Sequence, residues 1–378
     1  MPFLFHGTLG RMKAWKLIFS SFMILVAART AFAVTTESSL NIQGHLFSYF
    51  ENHSLKDANA DIDTAIIVVH GSDRNAITYY GTIVGIADQL GKSKTTMVIA
   101  PHFKLSADSR LTNELSFTDE GWLRGDVSTD QAISSFAVID EFINRLSDAS
   151  LFPKLKTIIV TGHSAGGQLT QRYALGSPLQ PQNIAIRYIV TNPGSYAYLS
   201  SKRPVSGKTN SFEIPQTRCA DYDDYKYGLQ HLNAYLGQTS STEIVNRYLN
   251  REVTYLLGEA DLITDELDND CEAVLQGKTR FERGKNFKAS LDQEFPGNLH
   301  KIATVPGVGH TEYGMYRSEV GKKVLFPDYV MVPVTKPVTA PSPAPESMNK
   351  KSLSPGRPSG AKTPQSFLSQ FLHLPFQP

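Results

Sequence analysis

The chain is short of features that would identify a partner directly. Lysine and arginine total 37 against 36 acidic residues, a formal net charge of +1 over 378 residues. That balance gives no electrostatic case for nucleic acid or an anionic membrane surface. Cysteine is nearly absent, with only Cys219 and Cys271. His102, His231 and His300 have no acidic or cysteine partners at metal-binding spacing, so neither a metal nor a cofactor is expected. The apolar stretch Leu17 to Ala28 is too short for a comfortable membrane span. Apolar residues make up 41% and charged residues 19%, ordinary for a globular chain of one large or two small domains. What the protein does must therefore be read from a site.

The two ends differ from the middle. Lys13 and Lys16 precede the apolar stretch, and Ala31-Phe32-Ala33 follows it as an A-x-A cleavage site. This is the layout of a bacterial-type secretory signal over residues 1–33, with the mature chain starting near Val34. Met12 directly precedes the basic region, which makes residues 1–11 a candidate for a mis-assigned start. An uncleaved anchor is the alternative. Export to the periplasm or beyond makes a Cys219–Cys271 disulfide the expected state. It would close a loop of about 50 residues, worth about 4 kcal/mol in the chain-entropy model; two unpaired buried thiols are the competing reading. At the other end, ten of the 21 prolines fall in residues 333–378 beside five basic residues and one acid, the composition of a disordered tail.

The informative middle is Thr157-Ile158-Ile159-Val160-Thr161-Gly162-His163-Ser164-Ala165-Gly166-Gly167. A β-branched run suited to a buried parallel strand leads into G-x-S-x-G at Gly162, Ser164 and Gly166, and Gln168 to Leu175 continues as a helix. Strand, sharp turn and helix are the context in which this pattern marks a nucleophilic serine. A glycine-rich turn with a serine cap is the competing reading.

Around it, strands are expected at 65–70, 95–100, 184–191, 252–257 and 302–305, with helices over 77–90, 130–147, 271–295 and 315–326. His45 to Phe50 suits an early edge strand. Residues 197–250 are rich in tyrosine and too long for a simple crossover, so they form an insertion or a lid. Alternating strands and helices predict a mostly parallel sheet covered on both faces. Sites in such sheets lie at the carboxyl ends of strands. Ser72, Ser164, Asp261 and His310 all follow predicted strands and would meet on one edge.

The order Ser164, Asp261, His310, each after a strand, resembles the α/β-hydrolase superfamily. His70-Gly71-Ser72 is similar to its oxyanion loop, Gly258-Glu259-Ala260-Asp261 to its acid turn and Gly309-His310 to its histidine turn. The resemblance spans roughly residues 44–326. The segment Cys219 to Leu229 also resembles a group of exported, largely uncharacterised hydrolases. The resemblance implies acyl transfer: Ser164 as nucleophile, His310 as base, Asp261 orienting the histidine, and the Ala165 and Ser72 amides holding the oxyanion. Glu259, Asp265, Asp268 and Asp270 are rival acids. His70, His163, Trp122 and Tyr196 are candidates for a substrate pocket. The competing readings are a loop-bonding role for His70, packing beside the site for His163, and aromatic core for Trp122 and the tyrosines of 196–235.

The expectation is an exported serine hydrolase acting on a small-molecule or polymeric carboxylic ester. Peptidase, lipase, acyltransferase and polyester-depolymerase activities stay open within that class. A non-catalytic binding protein on the same fold is the alternative.

Overall fold

Alternation along single strands shows how the sheet is buried. In Thr64–Val69, Ala65, Ile67 and Val69 face one core while Ile66 and Val68 face another. Both sets are buried, as expected for a strand covered by helices on both sides. The computed structural model describes residues 36–330; the signal-peptide, Val34 and tail expectations lie outside these residues.

The strands are β1 (Ser38–Ile42), β2 (His45–Glu51), β3 (Thr64–Val69), β4 (Thr96–Pro101), β5 (Thr157–His163), β6 (Ala185–Thr191), β7 (Arg203–Pro204), β8 (Phe212–Glu213), β9 (Glu252–Gly258) and β10 (Lys301–Val305). Eight form one sheet in the order β1-β2-β4-β3-β5-β6-β9-β10, and β7 and β8 make a separate ribbon. β2 is antiparallel to β1 and β4, and every pair from β4 to β10 is parallel.

The helices are α1 (Ala76–Gln89), α2 (Ser135–Leu146), α3 (Ala165–Gly176), α4 (Ser241–Leu249), α5 (Cys271–Val274), α6 (Arg280–Glu294), α7 (Glu312–Arg317) and α8 (Glu319–Leu325). Residues of α1, α7 and α8 pack into one core, and those of α2, α3, α4 and α6 into the other. The mostly parallel sheet with helices on both faces is the expected architecture.

Several boundaries differ from expectation for local reasons. β1 lies in a stretch that reads as polar; it buries only Leu40 and Ile42. Its presence moves β2 from the edge to the interior. The helix expected over 271–295 is two, interrupted at Gly277, whose φ of 145° is open to glycine but strained for other residues. The closing helix is divided at Ser318, whose hydroxyl caps α8 through the Gly321 amide at 2.8 Å. α2 starts at Ser135, later than expected, because Ser134 caps it through the Phe136 amide.

The tyrosine-rich insertion before β9 is bonded to the body. Tyr225 Oη donates to the Arg124 carbonyl at 2.5 Å, Tyr235 Oη to Asp140 at 2.6 Å, and Tyr227 Oη to Asp270 at 2.7 Å. A Cys219–Cys271 disulfide, with Cα atoms 6.0 Å apart, joins the insertion to α5.

Candidate active site

Ser164 stands between β5 and α3 with φ 59° and ψ −121°. A non-glycine residue at positive φ is strained, and the surroundings hold it there. Its amide donates to the Thr191 carbonyl at 3.0 Å, and its carbonyl accepts from the Gln168 amide at 3.0 Å. The flanking glycines are required by close approach. A Cβ on Gly162 would fall closer than 3.0 Å to the Gly166 backbone, and one on Gly166 equally close to the Val69 and His70 carbonyls.

His310 follows β10, and Asp261 follows β9. Ser164 Oγ is 2.9 Å from His310 Nε2, and His310 Nδ1 is 2.8 Å from Asp261 Oδ2. The two turns are bonded to each other, Glu259 N to the Val305 carbonyl at 3.1 Å and Ala260 N to the Val308 carbonyl at 3.0 Å. Of the rival acids, Glu259 accepts from Thr304 Oγ1, while Asp268 and Asp270 accept from Tyr227. Asp261 is completely buried, and Arg280 Nη1 lies 3.7 Å from its Oδ1. Arg280 is also buried, and its Nη2 donates to the carbonyls of Asp265 at 3.1 Å and Glu266 at 2.6 Å, gripping the loop after the acid.

The loop after β3 runs over His70-Gly71-Ser72. Gly71 is adjacent to Ser164: a Cβ there would lie 3.7 Å from the Ser164 Cβ. Among the described residues no acceptor meets the Ala165 or Ser72 amide. Beneath the loop, the Tyr79 hydroxyl lies 3.4 Å from His163 Nδ1, and a Cβ on Gly71 would stand 2.7 Å from it. The His163 ring packs against the His310 ring, centroids 4.4 Å apart. Burial holds His163 well below its ordinary value, and the neighbouring His310 acts in the same direction.

The pocket expectation is corrected for the buried candidates. Trp122 and Tyr196 have almost no exposed surface; Trp122 stacks on Phe103 at 5.6 Å and Tyr196 on Phe287 at 4.6 Å. His70 is completely buried, with Nε2 accepting from the Phe103 amide at 3.1 Å and Nδ1 2.9 Å from the Gly71 carbonyl. Burial lowers its pKa to about 3, so it is a neutral strut of the loop. His163, barely exposed, sits beneath the site. Side chains without exposed surface cannot line a pocket. Among the described residues, Cys219, Cys271 and Glu272 bring ligand-type atoms within 4.8 Å of one another. Disulfide sulfurs are not thiolates and offer no metal site.

No protein-family model matches the chain, and comparison with curated protein sequences finds no match. Solved structures do match. A poly(3-hydroxybutyrate) depolymerase from Bordetella parapertussis superposes with a TM-score of 0.56 at 19% identity, covering 80% of this chain and 93% of its own. A poly(aspartic acid) hydrolase from Sphingomonas sp. KT-1 gives 0.55 at 21% identity, covering 77% of this chain and 98% of its own. The chain has the α/β-hydrolase fold.

On this fold, Ser72, Ser164, Asp261 and His310 all follow carboxyl ends of parallel strands. Arg280 and Tyr79 escape a sequence reading because each meets the site from a distant helix. Gln168, one turn after Ser164, could have been found from helical spacing alone.

Proposed function

We propose that this protein is an exported serine hydrolase that cleaves a carboxylic ester through an acyl-enzyme. The observation that carries the reading is the continuous chain from Ser164 Oγ to His310 Nε2 at 2.9 Å and from His310 Nδ1 to Asp261 Oδ2 at 2.8 Å. It begins on a serine held at positive φ. These distances are within hydrogen-bond reach for a nucleophile, a base and the base's orienting group.

Ser164 Oγ attacks the carbonyl carbon as its proton passes to His310 Nε2. Asp261 holds the imidazole by its Nδ1–H and stabilises the charged ring. The tetrahedral oxyanion accepts from the Ala165 and Ser72 amides, each donor worth about 10²–10³ in rate. Collapse breaks the bond to the alcohol oxygen, which takes the proton from His310. Water, deprotonated by His310, then attacks the acyl-enzyme, and the carboxylic acid leaves as Ser164 recovers its proton. The disulfide supports export, since such bonds persist in oxidising compartments. The polymer-hydrolase names of the two structural neighbours make oligoesters and peptides worth including in a substrate screen.

The test is hydrolysis of a short-chain activated ester by the purified protein. Wild type is expected to turn over, and Ser164→Ala is expected to lose at least about 10⁴ in kcat. Equal rates for the two proteins would end the reading.

A further inference from the structure

The first turn of α3 carries a second polar side chain one helical turn after the candidate nucleophile. Gln168 follows Ser164 by one helical turn, its amide donating to the Ser164 carbonyl. Helical side chains lean toward the N-terminus, so Gln168 covers the turn that Ser164 begins. The orientation of its carboxamide is fixed. Arg172 Nη2 donates to Oε1 at 3.0 Å; a guanidinium has no acceptor, so the oxygen must face it. Arg172 is completely buried and donates further to Ser195 Oγ at 3.1 Å and the Leu123 carbonyl at 3.4 Å. Ser195 Oγ in turn reaches Asp268 Oδ2 at 2.8 Å. Nε2 lies on the other side of the carboxamide, beside Gly194, where an added Cβ would stand 3.2 Å from it and 3.6 Å from the Asp268 Cβ. Gln168 is half-buried, and among the described residues no acceptor meets Nε2.

A fixed neutral donor with unused hydrogens suits a neutral acceptor. Arg280, Arg74 and Lys226 are paired with Asp261, Asp108 and Glu120, and Arg172 spends its guanidinium on Gln168, Ser195 and two backbone carbonyls. A carboxylate would have to displace one of these contacts to find a cation, whereas a carbonyl oxygen would not. We infer that Gln168 Nε2 binds a second carbonyl oxygen of the substrate, so that the enzyme favours esters carrying another ester or amide carbonyl near the scissile one. This rests on the ester-hydrolase reading and deepens it to a substrate class.

The test compares kcat/KM within two substrate pairs. Diethyl succinate against ethyl butyrate places the second carbonyl on the acyl side. Ethylene glycol diacetate against propyl acetate places it on the alcohol side. Gln168→Glu keeps an acceptor for Arg172 and removes the donor; Gln168→Met removes both without adding charge. Thermal unfolding reports whether each variant folds. Wild type is expected to prefer the two-carbonyl ester in at least one pair. That preference is expected to fall about tenfold in both variants, the size of one lost hydrogen bond to substrate. A structural role would slow both members of a pair alike and leave the ratio in place. Ratios unchanged in both pairs overturn the inference, including the case where Gln168 assists the oxyanion and both esters lose equally. If wild type hydrolyses none of the four esters and takes no fluorophosphonate at Ser164, the ester-hydrolase reading fails with it. If Ser164 is labelled and the ratios do not move, only this inference fails.

Discussion

The hydrogen-bond chain that starts at Ser164 ends on a carboxylate with two very different neighbours. His310 holds one oxygen of Asp261, and the Arg280 guanidinium stands 3.7 Å from the other. Both members of that ion pair are buried, so solvent screens their attraction little. Arg280 also grips the Asp265 and Glu266 carbonyls, so it fixes where Asp261 sits. Arg280→Met is expected to lower kcat about tenfold with KM little changed, because the carboxylate that holds His310 loses its second neighbour. Arg280→Lys is expected to recover part of the loss. A fall in melting temperature with kcat unchanged would make Arg280 a structural brace. Ser164, Asp261 and His310 were readable because each follows a strand within a short motif. Arg280 was not, because nothing in the sequence shows that a side chain opening α6 reaches back to a residue nineteen positions earlier. Trp122 and Tyr196 read as pocket candidates because composition cannot tell an aromatic wall from an aromatic core; only packing separates them.

The β5–α3 turn depends on contacts that no side chain could share. A Cβ on Gly166 would press on the Val69 and His70 carbonyls, where β3 runs into the His70-Gly71-Ser72 loop. Gly166→Ala must push α3 away from that loop and separate the Ala165 and Ser72 amides. The expected outcome is a loss of at least about 10² in kcat, comparable to losing one oxyanion donor, with a lowered melting temperature. Gly81→Ala in α1 is the control: its Cβ would meet nothing within 4 Å, and alanine favours helix. Equal activity for the two variants would mean that the turn tolerates a wider fit. The parallel strands were legible because buried β-branched runs differ sharply from their surroundings. β1 was not, because two inward apolar residues among polar ones make a weak signal. The breaks at Gly277 and Ser318 reflect a glycine conformation and a cap that compete with helical periodicity.

For the protein as a whole, acid is expected to lower stability. Burial lowers His70 to about 3 and His300 to about 4 from an ordinary 6.5. The His300 Nδ1 pairs with the Tyr255 hydroxyl at 2.7 Å, and its Nε2 with the Tyr248 carbonyl at 2.8 Å. In the unfolded chain these histidines bind protons below about 6.5; in the folded protein they resist until far lower. Their contribution is therefore complete above about 6.5 and is lost progressively as pH falls toward 4 and then 3. The melting temperature is expected to drop between pH 7 and pH 4, and the drop to be smaller in His300→Gln. An unchanged slope in that variant would remove His300 from the account. The sheet, and the strand ends that bring Ser164, Asp261 and His310 together, were legible from sequence, whereas the seating of the insertion was not. It depends on hydroxyl contacts such as Tyr225 to Arg124 and Tyr235 to Asp140, between residues about a hundred positions apart.

The most direct test of the central claim is covalent labelling of the intact protein with a fluorophosphonate, mapped by peptide mass spectrometry. A single adduct on Ser164 is expected, absent in Ser164→Ala and strongly slowed in His310→Ala. An adduct elsewhere, or equal labelling of wild type and Ser164→Ala, would contradict it.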